Sequence, residues 1–260
     1  MRKITVIVPV HKIEGNYSEM LKNAINSIGE FHDDINLLVI CPPQIKNEIL
    51  TNAPTLHKEE VIVNNGNTDF CSQVNLGITK TKTEWFTILE MDDEFKHSWF
   101  TSMNEYMNFV KDVDVFLPIV KDVNVEGKFL SFTNESTWAY GFTNEQGYLD
   151  NEVLMDFQNY QISGGLYRTQ VIKDNGMLKE NIKLTFGYEF LLRLTQNNVK
   201  ILTVPKIGYQ HVNFREDSLF WLYKNNDDTK LSEKEVKFWV ETAKKEFFFK
   251  TKRDVTYVES

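Results

Sequence analysis

The spacing of hydrophobic and polar residues in the first part of the chain predicts strands that alternate with helices. Short apolar runs rich in β-branched residues are typical of strands that are buried on both faces of a sheet. Between these runs, apolar residues recur at the spacing of one helix face. The resulting β-α-β-α-β order favours a largely parallel, Rossmann-like α/β sheet. The predicted strands cover residues 4–8, 36–40 and 61–63, and the predicted helices cover residues 18–28 and 45–50.

The same kind of pattern continues through the middle of the chain. Asp69 is placed to cap a third helix, and a fourth strand follows that helix. A late strand is predicted to stop at Pro205, because proline cannot donate a hydrogen bond to a neighbouring strand. The predicted elements here are a strand over 85–89, a helix over 98–111, a hairpin over 113–132 that turns at Glu126-Gly127, a helix over 185–197 and the strand over 199–204.

Residues 134–165 have a weaker pattern, in which Trp138 and several other aromatic residues are scattered among polar ones. Aromatic side chains in irregular segments suit a wall that faces a sugar or a base, because they offer flat faces at a low entropic cost. A small satellite core beneath a loop would use the same residues. The pattern by itself favours neither interpretation.

The C-terminal part of the chain predicts an amphipathic helix. Ser232 and Glu235 have the spacing of a capping box. We expect this helix to dock on the body of the protein or on a second copy of the chain, which makes a homo-oligomer possible. The Phe247-Phe248-Phe249 run allows contact with a membrane surface as a less favoured alternative. We divide the chain into a main domain over 1–215 and a helical extension over 216–260. The apolar face of the helix consists of Val236, Trp239, Val240, Ala243 and Phe247.

Composition narrows the classes of function. Hydrophobic residues make up 42% of the 260 residues, enough for a sizeable core. The net charge of −8 disfavours a broad nucleic-acid-binding surface. Cys41 and Cys71 lie far apart without metal-ligand spacing, so a reduced, cytoplasmic compartment is expected. The apolar run near the N-terminus is too short for a signal peptide or a membrane span, and no transmembrane segment is expected.

The fourth predicted strand is followed at once by a cluster of acidic residues: Glu90, Asp92, Asp93 and Glu94. In open α/β sheets, ligands bind at the carboxyl ends of the strands. Carboxylates at such an edge suit Mg²⁺ or Mn²⁺ shared with substrate phosphates, because these cations keep few protein ligands. A solvated acidic turn is the alternative, and the rest of the chain decides between the two.

Several separated motifs, in order over residues 3–218, together resemble the family 2 glycosyltransferases of the GT-A fold. Any one of these motifs is weak evidence, but their order along the chain makes the resemblance specific. It implies a GT-A fold: a mostly parallel, Rossmann-like central sheet flanked by helices, here with a C-terminal helical extension. The similar segments are residues 4–11 at the first strand, 75–78 at the end of a helix, 88–93 at the acidic strand, 163–168 with two glycines, 189–201, and 209–215 with a histidine and an arginine.

The resemblance implies transfer of a sugar from a nucleotide-diphosphate sugar, with a UDP-sugar favoured, to a glycan or another hydroxyl acceptor. It implies Mn²⁺ or Mg²⁺ held by Asp92 and His211, since a divalent cation neutralises the charge that develops on a diphosphate leaving group. The implied acceptor-side residues are Gly164, Gly165 and Trp138. The implied donor-binding residues are Pro9, Val10, His11, Asn65, Asn75, Glu90, Met91 and Asp92.

The chain departs from the family pattern at the expected catalytic base. An inverting transfer needs a carboxylate that removes the proton of the acceptor hydroxyl. The family's Glu-Asp pair falls on Phe186-Gly187, so the nearest carboxylate, Glu189, is predicted to be the base. The alternative for Glu189 is an ion pair with Arg193 one helical turn away. Glu135 and Asp150 are the reserve candidates.

A second departure leaves two other functions open. Many family members carry acidic residues at the end of the second strand, where this chain has Cys41-Pro42-Pro43. A catalytically degenerate binding protein with the same fold is one alternative. A nucleotidyltransferase is the other, although it would be expected to carry a Gly-rich basic loop after the first strand. Residues 11–16 contain one glycine and one lysine.

Overall fold

A computed structural model describes residues 3–13, 15–225, 231–242 and 245. In this part of the chain, a sheet of ten strands is flanked by helices on both faces. The strands are β1 Ile4–Pro9, β2 Ile35–Cys41, β3 Val61–Val63, β4 Trp85–Ile88, β5 Glu94–Phe95, β6 Val115–Val123, β7 Phe129–Thr133, β8 Tyr148–Leu149, β9 Leu166–Arg168 and β10 Ile201–Val212. The helices are α1 Tyr17–Asn26, α2 Lys46–Asn52, α3 Phe70–Lys80, α4 Ser98–Phe109, α5 Asn151–Asp156, α6 Thr169–Asp174, α7 Phe186–Gln196, α8 Leu219–Lys224 and α9 Leu231–Thr242.

The strand order is β3-β2-β1-β4-β9-β6-β10-β5. The neighbours β3, β2, β1 and β4 are parallel, and β6 is parallel to β10. The short strand β9 runs antiparallel between β4 and β6. The prediction of a Rossmann-like α/β fold with a parallel core is confirmed, while the shorter strands β5, β7, β8 and β9 pair antiparallel. The carboxyl ends of β1, β4, β6 and β10 consequently meet at one edge, together with the residues that precede β9.

Two hydrophobic layers cover the faces of this sheet, and β1 shows how one strand serves both. Successive side chains of a strand point to opposite faces. Val6 and Val8 pack into the layer that contains residues of α1 and α4, whereas Ile7 packs into the layer that contains α3 and α7. A Cβ atom on Gly77 would lie 2.5 Å from the Ile7 side chain. Glycine at this position of α3 therefore lets the helix approach β1 closely.

Strand β10 corrects one prediction. The strand does not stop at Pro205 but continues to Val212. Its register against β6 shifts between Val204 and Ile207, and residues 205–207 are exposed. Proline is tolerated because it lies at an irregularity of the strand, where its missing N–H breaks no ladder hydrogen bond. The extension past Pro205 carries His211 to the end of the sheet.

The C-terminal helix α9 docks on the body of the protein, as predicted. Trp239 is buried within the layer formed by α3 and α7, and the Lys179 ammonium lies 5.2 Å from the centre of the Trp239 ring system. The Glu235 carboxylate accepts hydrogen bonds from the backbone N–H groups of residues 183–185, and the side chain of its predicted capping-box partner, Ser232, lies outside what the structure describes. Ala243 and residues 247–249 lie outside the described residues. Among the described helices, none has the length and apolar character needed to cross a membrane.

Candidate active site

A cleft of about 540 Å³ opens where the strand ends meet. This volume lies within the usual range for small-molecule and cofactor sites. The first loop after β1 contributes Pro9 and His11 to the cleft, and the acidic loop after β4 contributes Glu90 to Asp92. The end of β10, the start of α3 and helix α8 line the remaining walls. The cleft is therefore built from segments far apart in the sequence.

The acidic loop after β4 forms a tight cluster with the end of β10. Glu90, Asp93 and His211 each bring one potential metal-binding atom, and these atoms lie within 4.8 Å of one another. His211 Nδ1 lies 3.0 Å from one carboxylate oxygen of Asp93, and the backbone N–H of Val212 donates to the other at 2.9 Å. The Ser163 hydroxyl donates to Glu90 at 2.6 Å. Hydrogen bonds thus hold both carboxylates in place.

Asp92 points to a different partner. Its carboxylate lies 3.2 Å from the Arg215 guanidinium, which is 7% exposed. Arg215 also lies over the ring of Tyr17, at 4.7 Å from the ring centre. The Tyr17 hydroxyl donates to Asp217, whose carboxylate lies 3.5 Å from Arg215. A buried cation is therefore fixed at the mouth of the cleft beside the acidic cluster.

Burial, and after it the crowding of like charges, governs the protonation of this cluster. Burial raises the pKa of Glu90 to about 7, and the negative charge of Asp93 adds to the shift. Burial and Asp93 likewise raise the pKa of Asp92 to about 6. Burial lowers the pKa of His211, but the neighbouring carboxylates, Asp93 foremost, outweigh it and raise that pKa to about 10. The negative charge of the three carboxylates (Glu90, Asp92 and Asp93) thus exceeds the positive charge of His211 and Arg215.

The donor set fits a divalent cation of the manganese or magnesium class. Two carboxylates and one imidazole are ligands that Mn²⁺ accepts, and Mg²⁺ is bound by one or two carboxylates together with phosphates. A cation would also relieve the repulsion that raises the pKa of Glu90. The sequence predicted Asp92 and His211 as ligands and gave Asp93 a supporting role. The structure instead places Asp93 beside His211 and places Asp92 beside Arg215.

The predicted donor loop after β1 is only partly exposed to the cleft. Pro9 and His11 line it, whereas Val10 is buried and its backbone N–H lies 3.0 Å from the Gln73 side-chain oxygen. Burial lowers the pKa of His11 to about 4, and the positive charges of Arg215 and Lys12 add to that shift. His11 Nε2 is buried and has no hydrogen-bond partner among the described residues. A neutral imidazole therefore faces the cleft with a polar atom available to a ligand.

Two of the other predicted donor-binding residues, Asn65 and Asn75, do not line the cleft. Met91 lines the cleft, but Asn75 faces away from it. The Asn75 side chain donates to the Leu178 carbonyl at 2.8 Å and accepts from the Leu178 N–H at 3.0 Å. Asn75 therefore anchors the loop after α6, and its assignment to the donor is corrected to a structural role. Asn65 is exposed in the turn between β3 and α3, outside the residues that line the cleft.

The structure does not support Glu189 as the base. Glu189 is 1% exposed and lies on α7 behind the cleft wall. Arg193 donates to both of its oxygens, at 2.7 and 3.0 Å, and the Lys179 ammonium lies at 2.9 Å. The ion pair one helical turn away is the alternative that is realised. Of the reserve candidates, Asp150 caps α5, and Glu135 is exposed on a short 3-10 helix.

The three predicted acceptor-side residues do not line the cleft but support the segments that form it. Gly164 has a φ of +76°, and a Cβ atom there would lie 2.5 Å from the Tyr209 ring. A Cβ atom on Gly165 would lie equally close to the Tyr167 hydroxyl. The two glycines let the segment pass between these aromatic rings and bring Ser163 to Glu90. Trp138 donates to the Thr203 carbonyl at 2.9 Å and packs on Gly147 rather than lining the cleft.

Sequence reasoning missed one acidic residue of the cleft. Asp122, near the end of β6, is 5% exposed and lines the cleft. Its register partner on the parallel strand β10 is His211. The available signal was a charged pair, Lys121-Asp122, at the end of an apolar run, because charged residues are rarely fully buried without a partner.

Comparisons with known proteins agree with this architecture. The family model for glycosyl transferase family 2 matches residues 5–174. A comparison with curated proteins found no match. TarS of S. aureus (residues 1–349), solved in complex with UDP-GlcNAc, superposes with a TM-score of 0.61 at 17% identity, over 84% of this chain and 60% of that chain. The mannosyltransferase PcManGT from Pyrobaculum calidifontis, in complex with GDP-Man and Mn²⁺, superposes with a TM-score of 0.58 at 9% identity.

The second superposition covers 83% of this chain and 58% of PcManGT. The chain likewise spans about 60% of the length of TarS 1–349. At these identities the likeness shows the GT-A fold. The family model covers well over half of the chain, and the match includes the acidic loop after β4, whereas β10 with His211 lies beyond it. The chain is a member of glycosyl transferase family 2.

Proposed function

We propose that this chain transfers a sugar from a nucleotide-diphosphate sugar to an acceptor hydroxyl, with the help of Mn²⁺ or Mg²⁺. The observation that carries the proposal is the cluster of Glu90, Asp93 and His211, of which Glu90 and His211 line the cleft. Family membership supports a glycosyl transfer. The two solved neighbours support a nucleotide-sugar donor, because one was solved with UDP-GlcNAc and the other with GDP-Man and Mn²⁺.

Glu90, Asp93 and His211 are the residues that would hold the cation. When bound, the cation would supply the positive charge that a departing nucleotide diphosphate requires. Ser163 and the N–H of Val212 orient the two carboxylates, and such supporting hydrogen bonds are part of a working metal site. The excess of negative charge in the cluster favours a divalent cation over a monovalent one.

Arg215 and His11 would act on the donor. Arg215 is a buried guanidinium whose planar donors match phosphate oxygens, and Asp92 and Asp217 hold it in place. His11 offers a buried, unpartnered Nε2 toward the same cleft. We assign Arg215 to the diphosphate and His11 to a polar group of the donor. A UDP-sugar is the favoured donor, and the acceptor is a glycan or another hydroxyl compound.

The reaction that we propose is a single inverting displacement at the anomeric carbon. The diphosphate leaves on the side of Arg215 and the acidic cluster, and the acceptor hydroxyl attacks from the opposite side of the sugar. This geometry requires a carboxylate in the cleft to take the hydroxyl proton.

Cation and donor binding test the proposal. We expect Mn²⁺ to raise the melting temperature, and UDP-GlcNAc or GDP-mannose to be hydrolysed slowly in its presence. Asp93→Asn should weaken Mn²⁺ binding by about 100-fold, since it removes one ligand and the partner of His211. Calorimetric titration of Mn²⁺ and release of the nucleoside diphosphate are the measurements.

The control is Asp112→Asn, which removes an exposed carboxylate that pairs with Lys200 on the surface. It should leave both readouts unchanged. If the unaltered chain shows no shift with Mn²⁺ and releases no nucleotide from either donor, the proposal is wrong. The degenerate binding protein would then be the better description.

A further inference from the structure

The site described above still needs a base for the acceptor hydroxyl. Glu189, the residue nearest to the family's acidic pair, is closed off by Arg193 and Lys179. Phe186 and Gly187 line the cleft but carry no proton acceptor in their side chains. The base must therefore come from another element that faces the cleft. Among the described residues, the carboxylates that line the cleft are Asp69, Glu90, Asp92 and Asp122.

Three of these four carboxylates have other partners. Asp69 caps helix α3 through the Ser72 N–H and forms an ion pair with Lys183. Glu90 belongs to the proposed cation site, and Asp92 is paired with Arg215. A proton acceptor that is also bound to a cation is a poor base, because the positive charge stabilises its deprotonated form.

Asp122 differs from the other three in its contacts. One oxygen, Oδ2, accepts hydrogen bonds from the hydroxyls of Ser131 at 2.9 Å and Thr133 at 2.5 Å. Within the part of the chain that the structure describes, no hydrogen bond reaches Oδ1. The two hydroxyls on β7 thus fix the orientation of the carboxylate and leave its second oxygen for a ligand.

Asp122 is also a close neighbour of the cation cluster in the sheet. Asp122 and His211 are register partners on the parallel strands β6 and β10. Neighbouring strands lie about 4.8 Å apart, and paired residues project to the same face of the sheet. Both residues line the cleft, so Asp122 lies one strand away from the imidazole of the cation cluster. In-line attack with inversion requires the anomeric carbon to lie between the diphosphate oxygen and Asp122 Oδ1.

We propose that Asp122 is the catalytic base, an assignment that rests on the proposed function. Asp122 Oδ1 accepts the proton of the acceptor hydroxyl while that oxygen forms a bond to the anomeric carbon. The bond from the anomeric carbon to the diphosphate oxygen breaks, and its electron pair stays with the nucleoside diphosphate. The proton ends on Asp122, and the sugar is transferred with inversion.

A purely structural role for Asp122 makes a different prediction. The hydrogen bonds from Ser131 and Thr133 also hold hairpin β6–β7 together. Asparagine at this position keeps an oxygen that can accept from both hydroxyls, but it cannot take up a proton. Asp122→Asn therefore preserves the hairpin contacts and removes only the base.

The experiment measures nucleotide release from UDP-GlcNAc and GDP-mannose in the presence of Mn²⁺, with water as the acceptor. Asp122→Asn should lower turnover by about 100-fold or more, the usual contribution of a general base. Its affinity for Mn²⁺ and donor, measured by calorimetry, should not change. Sodium azide should restore turnover and give a glycosyl azide, because azide attacks without losing a proton. The matched control is Asp150→Asn, which should retain full turnover because asparagine also caps a helix well.

The outcomes separate the two proposals. If the unaltered chain binds Mn²⁺ and donor and Asp122→Asn keeps its turnover, Asp122 is not the base. If turnover falls and azide does not restore it, the effect is structural and the assignment is also wrong. If the unaltered chain turns over neither donor, the proposed function fails, and the role of Asp122 fails with it.

Discussion

Two buried acidic clusters in this protein use the same chemical groups with opposite results. On α7, the single carboxylate of Glu189 meets two cations, Arg193 and Lys179. At the ends of β4 and β10, three carboxylates share Arg215 and one imidazole. The first cluster is closed and has a surplus of positive charge. The second faces the cleft and lacks positive charge.

The difference shows why burial alone does not identify a functional carboxylate. Glu189 and Asp93 are equally buried, but both oxygens of Glu189 already accept hydrogen bonds from Arg193. Nothing remains on it for a ligand to bind. In the cleft, burial and then the negative charge of Asp93 raise the pKa of Glu90, which indicates a carboxylate whose charge the protein does not compensate. A site for a cation is recognised by such a deficit.

The largest loss of stability is expected when Arg193 is removed from the closed cluster around Glu189. Arg193→Ala should lower the free energy of unfolding by about 3 kcal/mol, because it leaves the buried carboxylate of Glu189 with only one of its two cations, Lys179. It also removes the hydrogen bonds that Arg193 donates to the Asn175 and Met177 carbonyls. Urea denaturation followed by circular dichroism measures this loss. Affinity for Mn²⁺ per folded molecule should stay the same, since the cluster lies outside the cleft.

The control for this prediction is Lys200→Ala, which breaks an ion pair between two exposed side chains. It should cause no measurable loss of stability. An Arg193→Ala protein as stable as the unaltered chain would contradict the view that the α7 cluster is structural.

The charge deficit in the cleft predicts an unusual dependence of stability on pH. In the metal-free protein, Glu90 and His211 keep protons at pH values where the unfolded chain has released them. The folded state then binds more protons, so the free energy of unfolding falls as pH rises. Between about pH 6.5 and 8.5 we expect a loss on the order of 2 kcal/mol. Denaturant unfolding in EDTA at several pH values measures it.

Saturating Mn²⁺ should remove this loss, because the cation favours the deprotonated ligands and binds better as pH rises. Glu90→Gln should reduce the slope in EDTA, since the neutral side chain relieves the repulsion. A metal-free protein that gains stability over this pH range would show that the two clusters do not differ as described.

The smallest of these effects concerns the helix that closes the back of the cleft. Glu235→Gln should destabilise the protein by about 1 kcal/mol, because hydrogen bonds to a charged acceptor become neutral ones. The amides of Leu184 and Thr185, which donate to Glu235, should exchange faster with solvent. Hydrogen exchange read by mass spectrometry measures this change. Glu233→Gln, on the exposed side of the same helix, should leave the exchange unaltered.

Much of the fold could be predicted from local pattern. The apolar runs at β1, β2, β3 and β4 are strands, and the hairpin of β6 and β7 lies where the glycine turn placed it. Pro205 misled the prediction because a bulge tolerates proline, and bulges depend on the neighbouring strand. The short strand β9 was missed because three residues carry too little periodicity, although it lies in the middle of the sheet.

The sequence identified several residues of the candidate site but did not show which of them contact each other. The acidic loop and His211 were identified, yet the sequence could not show which carboxylate would meet the imidazole. That choice depends on the turn after β4, where the Asp93 N–H donates to the Glu90 carbonyl and sets the direction of each side chain. Glu189 was misassigned because an acid on a helix has the same sequence signal whether or not Lys179, ten residues earlier, reaches it.

The late position of β9 and β10 in the chain has a consequence for how the protein folds. Strand β4 lies beside β1 but gains its other neighbour, β9, only after the intervening residues have folded. Contacts between such distant segments form slowly, because a long loop must close before they add any stability. His211 and Arg215 come later still. During synthesis the acids of the loop after β4 therefore emerge long before His211 and Arg215, and the candidate site is among the last parts of the protein to assemble.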